Sequence, residues 1–202
     1  RPPSAGVYEL DEKQKKSDKV DQIRKNAGLN YRMMTEAVHA VLKDLGKHHP
    51  EYDAKVGHEM AGFVWFQGFN DQFSEAFRNN YKGNMIHFIK DVRKEYKTPE
   101  MPFVIGVMGT SITKEKVAEN AVSVAQREAA KAPEFKGTVT SVDSYLYYDL
   151  EAYEIYKKGW FKHLHEFSLI GSDRPYHYMG SAKFFVRFGD ALADAMSGLL
   201  KK

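Results

Sequence analysis

Two apolar patterns alternate along this chain. Unbroken apolar runs occur at Phe63-Val-Trp-Phe66 and Phe103-Val-Ile-Gly-Val-Met108, with a shorter β-branched run at Thr138-Val-Thr-Ser-Val142. Short runs of this kind, bounded by Gly, Pro and polar residues, predict buried strands of a parallel sheet, with Phe63–Phe66 in a central position. Elsewhere apolar residues recur every three or four positions: from Leu29 to Leu45, where Gly46 supplies a stop; from Ser74 to Tyr96; from Thr113 to Lys131; and from Phe184 to Leu199. That spacing predicts amphipathic helices. Asp149 to Leu164 suits one more helix with aromatic contacts, and Gly171 to Gly180 reads as a Gly-rich polar loop.

Strand and helix alternate after residue 60, which predicts an α/β fold built from right-handed βαβ crossovers. Three strands are legible, whereas doubly wound sheets carry about five or six. The sheet is therefore expected to be incomplete, with its remaining strands preceding Arg1 and one strand edge left uncovered. Residues 1–28 are expected to be exposed or ordered by a partner, because the stretch to Lys25 is rich in Lys, Asp, Glu, Gln and Pro and adds nothing to a core. Residues 29–202 are expected to form the C-terminal portion of one domain.

Composition narrows the possible partners. A hydrophobic content of 43% in 202 residues allows one well-buried domain. The net charge of +3 is small and its Lys and Arg are dispersed, which argues against nucleic acid. No apolar run reaches the roughly 18–20 residues that span a bilayer. The absence of cysteine removes any disulfide framework.

Two polar clusters carry candidate chemistry. The first strand runs directly into Gln67-Gly68-Phe69-Asn70-Asp71, and the carboxyl ends of strands in open α/β sheets are where ligands bind. Gly68 permits a tight turn, and the Asn70 amide is suited to donate to a developing oxyanion, a contact typically worth about 100- to 1000-fold in rate. The same residues also suit a plain strand-end turn in which Asn70 and Asp71 cap the next helix. The second cluster, Ser172-Asp-Arg-Pro-Tyr-His-Tyr178, places Asp173 four residues ahead of His177. A carboxylate so placed can hold one imidazole nitrogen while the other faces a nucleophile, or it can simply cap a helix.

Taken together, these blocks resemble the SGNH hydrolase superfamily, and within it the sialate O-acetylesterase-like carbohydrate acetylesterases. Gly68-Phe69-Asn70-Asp71 matches the Gly-x-Asn-Asp block, Val64-Trp65-Phe66-Gln67-Gly68 looks like the strand preceding it, and Asp173 through Lys183 look like the Asp-x-x-His block ahead of the last helix. The resemblance implies a three-layer α/β/α, flavodoxin-like parallel sheet and a serine-type ester hydrolase that removes O-acetyl groups from carbohydrates. His177 is then the base, Asp173 its orienting acid, Asn70 and Gly68 the oxyanion donors, Gln67 a turn or substrate contact and Asp71 a support.

The family's Gly-x-Ser block has no counterpart before residue 60. The resemblance thus implies that the nucleophile lies in an N-terminal half, separate or cleaved, and that this chain alone is inactive. It further implies no cofactor and a secreted or periplasmic location. Ser111, in Gly109-Thr110-Ser111, follows the Asn block instead of preceding it and reads as a helix cap whose loop still lines the site. His163-Leu-His165-Glu166 lacks the His-Glu-x-x-His spacing of a helical zinc site, so no metal is expected. A non-catalytic carbohydrate-binding or structural module on the same fold is the competing expectation.

Overall fold

The computed structural model describes Leu10 and residues 12–201. In chain order the elements are α1 (Glu12–Lys15), α2 (Val20–Lys25), α3 (Leu29–Lys43), α4 (Leu45–His48), β1 (Phe63–Phe66), α5 (Glu75–Glu95), β2 (Phe103–Val107), α6 (Lys114–Glu119), α7 (Ala121–Ala130), β3 (Val139–Asp143), α8 (Leu150–Lys157), α9 (Leu164–Ser168) and α10 (Ala182–Leu200). Single 3-10 turns lie at Asn70–Phe73, Pro133–Phe135 and Ser144–Tyr147, and Pro175–Gly180 is a pair of turns kinked at His177, Tyr178 and Met179.

The three strands form one parallel sheet in the order β1-β2-β3, with Phe63 opposite Phe103 and Phe103 opposite Val139. Side chains alternate across it. Phe63, Trp65, Phe103, Ile105 and Val139 face α5 and α7, where they pack with Tyr81, Met85, Ile89, Val122, Ala125 and Ala129. On the opposite face α10 presents Phe184 and Phe188, backed by Ala152 of α8 and Phe167 of α9. Helices thus cover both faces, as βαβ units require. Gly106, in the middle of β2, makes the second face possible: a Cβ there would sit 2.7 Å from the Phe66 ring and 3.0 Å from Phe188. The two rings meet above it at 4.8 Å between centroids.

The structure corrects several expectations. Among the described residues Phe63–Phe66 lies at the edge of the sheet, and the central position belongs to β2, every residue of which is buried. In β1 Val64 and Phe66 stay 45% and 36% exposed, so an all-apolar strand here reflects an uncovered flank as well as a core. The stretch from Thr113 to Lys131 is two helices, because Asn120 leaves the helical conformation and its side chain accepts from the Val122 and Ser123 N–H groups, starting a new helix. The stretch from Asp149 to Leu164 also divides: Asp149 caps α8, and Gly159 at φ 95° turns the chain toward α9.

Gly46 lies inside the short α4 and the stop of α3 falls at Asp44. Of the segment expected to stay clear of the core, residues 1–9 lie outside the described residues, and Leu10 is buried but belongs to neither core cluster. Farther along, α3 docks on the flank of α5 through an edge contact of Tyr31 with Phe88 and a 2.7 Å pair between His39 Nε2 and Glu95 Oε1.

Candidate active site

At the carboxyl end of β1 the chain is clamped from below. The Gln67 carbonyl accepts from the Tyr81 hydroxyl at 2.9 Å and from Gln126 Nε2 at 2.6 Å. Gln126 is fully buried, and its Oε1 accepts the Met108 N–H at 2.8 Å just past β2. One side chain of α7 therefore ties the ends of two strands together. Burial in this clamp pushes the Tyr81 hydroxyl well above its ordinary pKa, so it serves as a fixed donor. Gly68 follows in close contact: a Cβ there would approach Val122 Cγ1 to 2.8 Å.

Above the clamp, Gln67 Nε2 donates to Asp71 Oδ2 at 2.7 Å. Asp71 supports the turn in this way, whereas α5 begins after Ser74, so neither Asn70 nor Asp71 caps it. Asn70 itself is exposed at the first position of the turn.

The second cluster sits on the loop before α10. His177 Nδ1 lies 2.8 Å from Asp173 Oδ2, and Asp173 Oδ1 accepts the Arg174 N–H at 2.7 Å. The Arg174 amide, and after it His177, hold the Asp173 carboxyl below the usual carboxylate range. With Nδ1 engaged by a carboxylate, Nε2 is the ring nitrogen left for proton transfer. Both side chains remain partly exposed, at 60% for His177 and 47% for Asp173.

This loop is rigidly framed. Tyr178 and Met179 both adopt left-handed backbone, at φ 54° and 61°, a cost of about 1–3 kcal/mol each for non-glycine residues. The frame that holds them is specific: the Met179 carbonyl accepts from the Ser172 and Asp173 N–H groups at 2.8 and 3.0 Å. Tyr178 stacks on Phe184 at 4.2 Å. Its hydroxyl accepts the Gly109 N–H and meets Ser144 Oγ, each at 3.1 Å.

The two clusters border one cleft of about 330 Å³, lined by Phe66, Gln67, Gly68 and Phe69 on one side and by Tyr176, His177 and Tyr178 on the other, with Met108, Thr110 and Phe185 between. Phe69 stacks on Tyr176 at 5.2 Å and joins the two rims. Asn70 and Asp71 stand beside this lining and not in it. The loop after β2 reaches the cleft through Thr110, as expected. Ser111 does not line the cleft, and the cap of α6 is Thr113.

Sequence reading missed the Gln126 clamp and the Tyr178–Ser144 anchor. Their only signal is a polar residue inside an otherwise apolar helical or loop pattern. His163 is the residue preceding α9 and lies 3.6 Å from Glu166, an ion-pair geometry. Among the described residues no group of three His, Cys, Asp or Glu is placed to hold a metal, and no helix is long and apolar enough to cross a membrane.

The family model described as carbohydrate esterase, sialic acid-specific acetylesterase matches residues 17–149. That stretch holds the sheet, the Gln67–Asp71 cluster and the Gln126 clamp, and it ends before the His177 loop. No curated protein and no solved structure matches the chain. A match over well over half of its length, on an α/β frame with a parallel sheet, means that the chain belongs to the family of sialic acid-specific acetylesterases, which are carbohydrate esterases.

Proposed function

We propose that this chain carries the base and part of the oxyanion-binding wall of a serine-type esterase that removes O-acetyl groups from carbohydrates. The nucleophilic serine is supplied by an N-terminal portion of the same domain or by a partner chain. The observation that carries this reading is the His177–Asp173 hydrogen bond at a cleft whose opposite rim is Gln67-Gly68-Phe69.

In the reaction, the serine Oγ attacks the acetyl carbonyl carbon as His177 Nε2 takes its proton. The ester C–O bond breaks, and the same proton passes to the departing sugar oxygen. Water then attacks the acyl-enzyme with His177 again as base, releasing acetate and restoring the serine. Asp173 keeps the ring oriented and stabilises the imidazolium. Asn70, at the exposed start of its turn, donates to the oxyanion once the nucleophile is in place.

The test is hydrolysis of p-nitrophenyl acetate by this chain combined with the serine-bearing portion. His177→Ala is expected to lower kcat by about 10²- to 10⁴-fold, the usual worth of a positioned acid–base group. Undiminished turnover in that variant would remove His177 from the mechanism.

Among the described residues no serine lines the cleft, and this favours a second reading, a non-catalytic carbohydrate-binding module on the esterase fold. Intact-mass analysis and peptide mapping of the native protein separate the two. An accompanying Gly-x-Ser segment supports the enzyme, and its absence supports the binding module.

A further inference from the structure

The cleft beside His177 is much larger and more apolar than an acetyl group needs. Its volume of about 330 Å³ is roughly twice that of an engineered apolar cavity, about 150 Å³, that admits benzene. Its two tyrosines turn their hydroxyls elsewhere. Tyr178 Oη is buried against the Gly109 amide and Ser144, and Tyr176 Oη accepts from Arg174 Nη1 at 3.0 Å. What they offer the cleft is ring carbon, added to Phe66, Met108 and Phe185. The other polar side chains of the lining are Gln67, Thr110 and His177, and the Gln67 amide is already engaged by Asp71 and Tyr81. A sugar ring pressed against the aromatic wall would thus find few partners for the hydroxyls it buries, which is costly. An alkyl chain needs no such partners.

We propose that this wall is an acyl pocket accepting ester acyl groups longer than acetyl, to butyryl at least. The sugar alcohol would then lie outside it, toward the polar rim of Gln67 and Asp71. The inference rests on the esterase reading of the same site.

Binding can be measured on the chain itself. Acetate, propionate and butyrate are titrated while the amide signals of Gly68, Thr110 and His177 are followed by heteronuclear NMR. Burying a methylene strengthens binding about fourfold when burial is complete, so butyrate is expected to bind at least about fourfold more tightly than acetate at this open site. Thr110→Phe, which fills the cleft, and Phe185→Ala, which removes an exposed wall, should each narrow that ratio. The second variant alters only a half-exposed side chain of α10, so it keeps the test available if the first disturbs folding. Equal affinities, absence of shifts at the three amides, or an unchanged ratio in both variants would overturn the acyl pocket.

A parallel series of p-nitrophenyl acetate, propionate and butyrate with the serine-bearing portion present separates this inference from the one beneath it. Turnover of the acetyl ester without any gain for butyryl overturns the pocket alone. Butyrate selectivity in binding without turnover of any ester overturns the hydrolase and leaves the pocket standing.

Discussion

Asp173 shows how a single exposed carboxylate can be set by its own loop. The largest influence on it is the N–H of the next residue, Arg174, and the second is His177. Its folded-state pKa lies below the unfolded value of about 3.9, so folding favours the ionised form. That contribution is complete above the unfolded value and is lost as pH falls through the depressed folded value. A ¹³C titration of the Asp173 carboxyl is expected to give a midpoint below 3.9. In His177→Ala the midpoint should rise while staying below that of an unfolded aspartate, because the Arg174 amide remains. A return to the unfolded value would show that His177 is the main influence. Of the site residues, His177 and Asp173 were legible because both chemistry-bearing types sit within five positions of sequence. The loop of Thr110 was legible too, as it leaves the same end of the sheet; Met108 and Phe185 were not, since only the packing of α10 against the sheet brings them to that cleft.

At the level of elements, Gln126 is the strongest link between the sheet and the candidate site. It satisfies the Met108 N–H and the Gln67 carbonyl at once. Gln126→Leu keeps the volume, strands the Met108 N–H and leaves the Gln67 carbonyl to the Tyr81 hydroxyl alone, at about 1–3 kcal/mol for the group left unpaired. Urea denaturation should show a loss in that range or above; a loss under about 0.5 kcal/mol would mean that the strand ends relax to other partners. Gly106→Ala tests the second face. Inserting a methyl between Phe66 and Phe188 should cost about 1–3 kcal/mol as overpacking, read from the same denaturation curves.

The strands themselves were readable because continuous apolar runs with Pro and Gly at their ends have few other homes. Their order was less readable. Both β1 and β2 are wholly apolar, and only the neighbours each acquires decide which is central. The break at Asn120 escaped notice for a local reason: apolar periodicity continues across it, and the cap is made by one side-chain oxygen.

For the molecule as a whole, the outer edge of β1 dominates behaviour in solution. Among the described residues no strand pairs with it, and Val64 and Phe66 lie partly open beside it. Unpaired apolar edges template association. The chain on its own is expected to self-associate in light scattering as concentration rises, and Val64→Lys should suppress this by placing a charge on the flank. A concentration-independent monomer mass for the unmodified chain would show that the edge is shielded.

The hydroxyl of Tyr178 gives this architecture a built-in reporter. Because it receives the amide proton of Gly109, the loop that presents His177 cannot lift away without releasing that one proton to solvent. Deuterium uptake at Gly109 therefore counts loop departures directly, and Tyr178→Phe should quicken it while leaving uptake at Ile105, deep in β2, at its original pace.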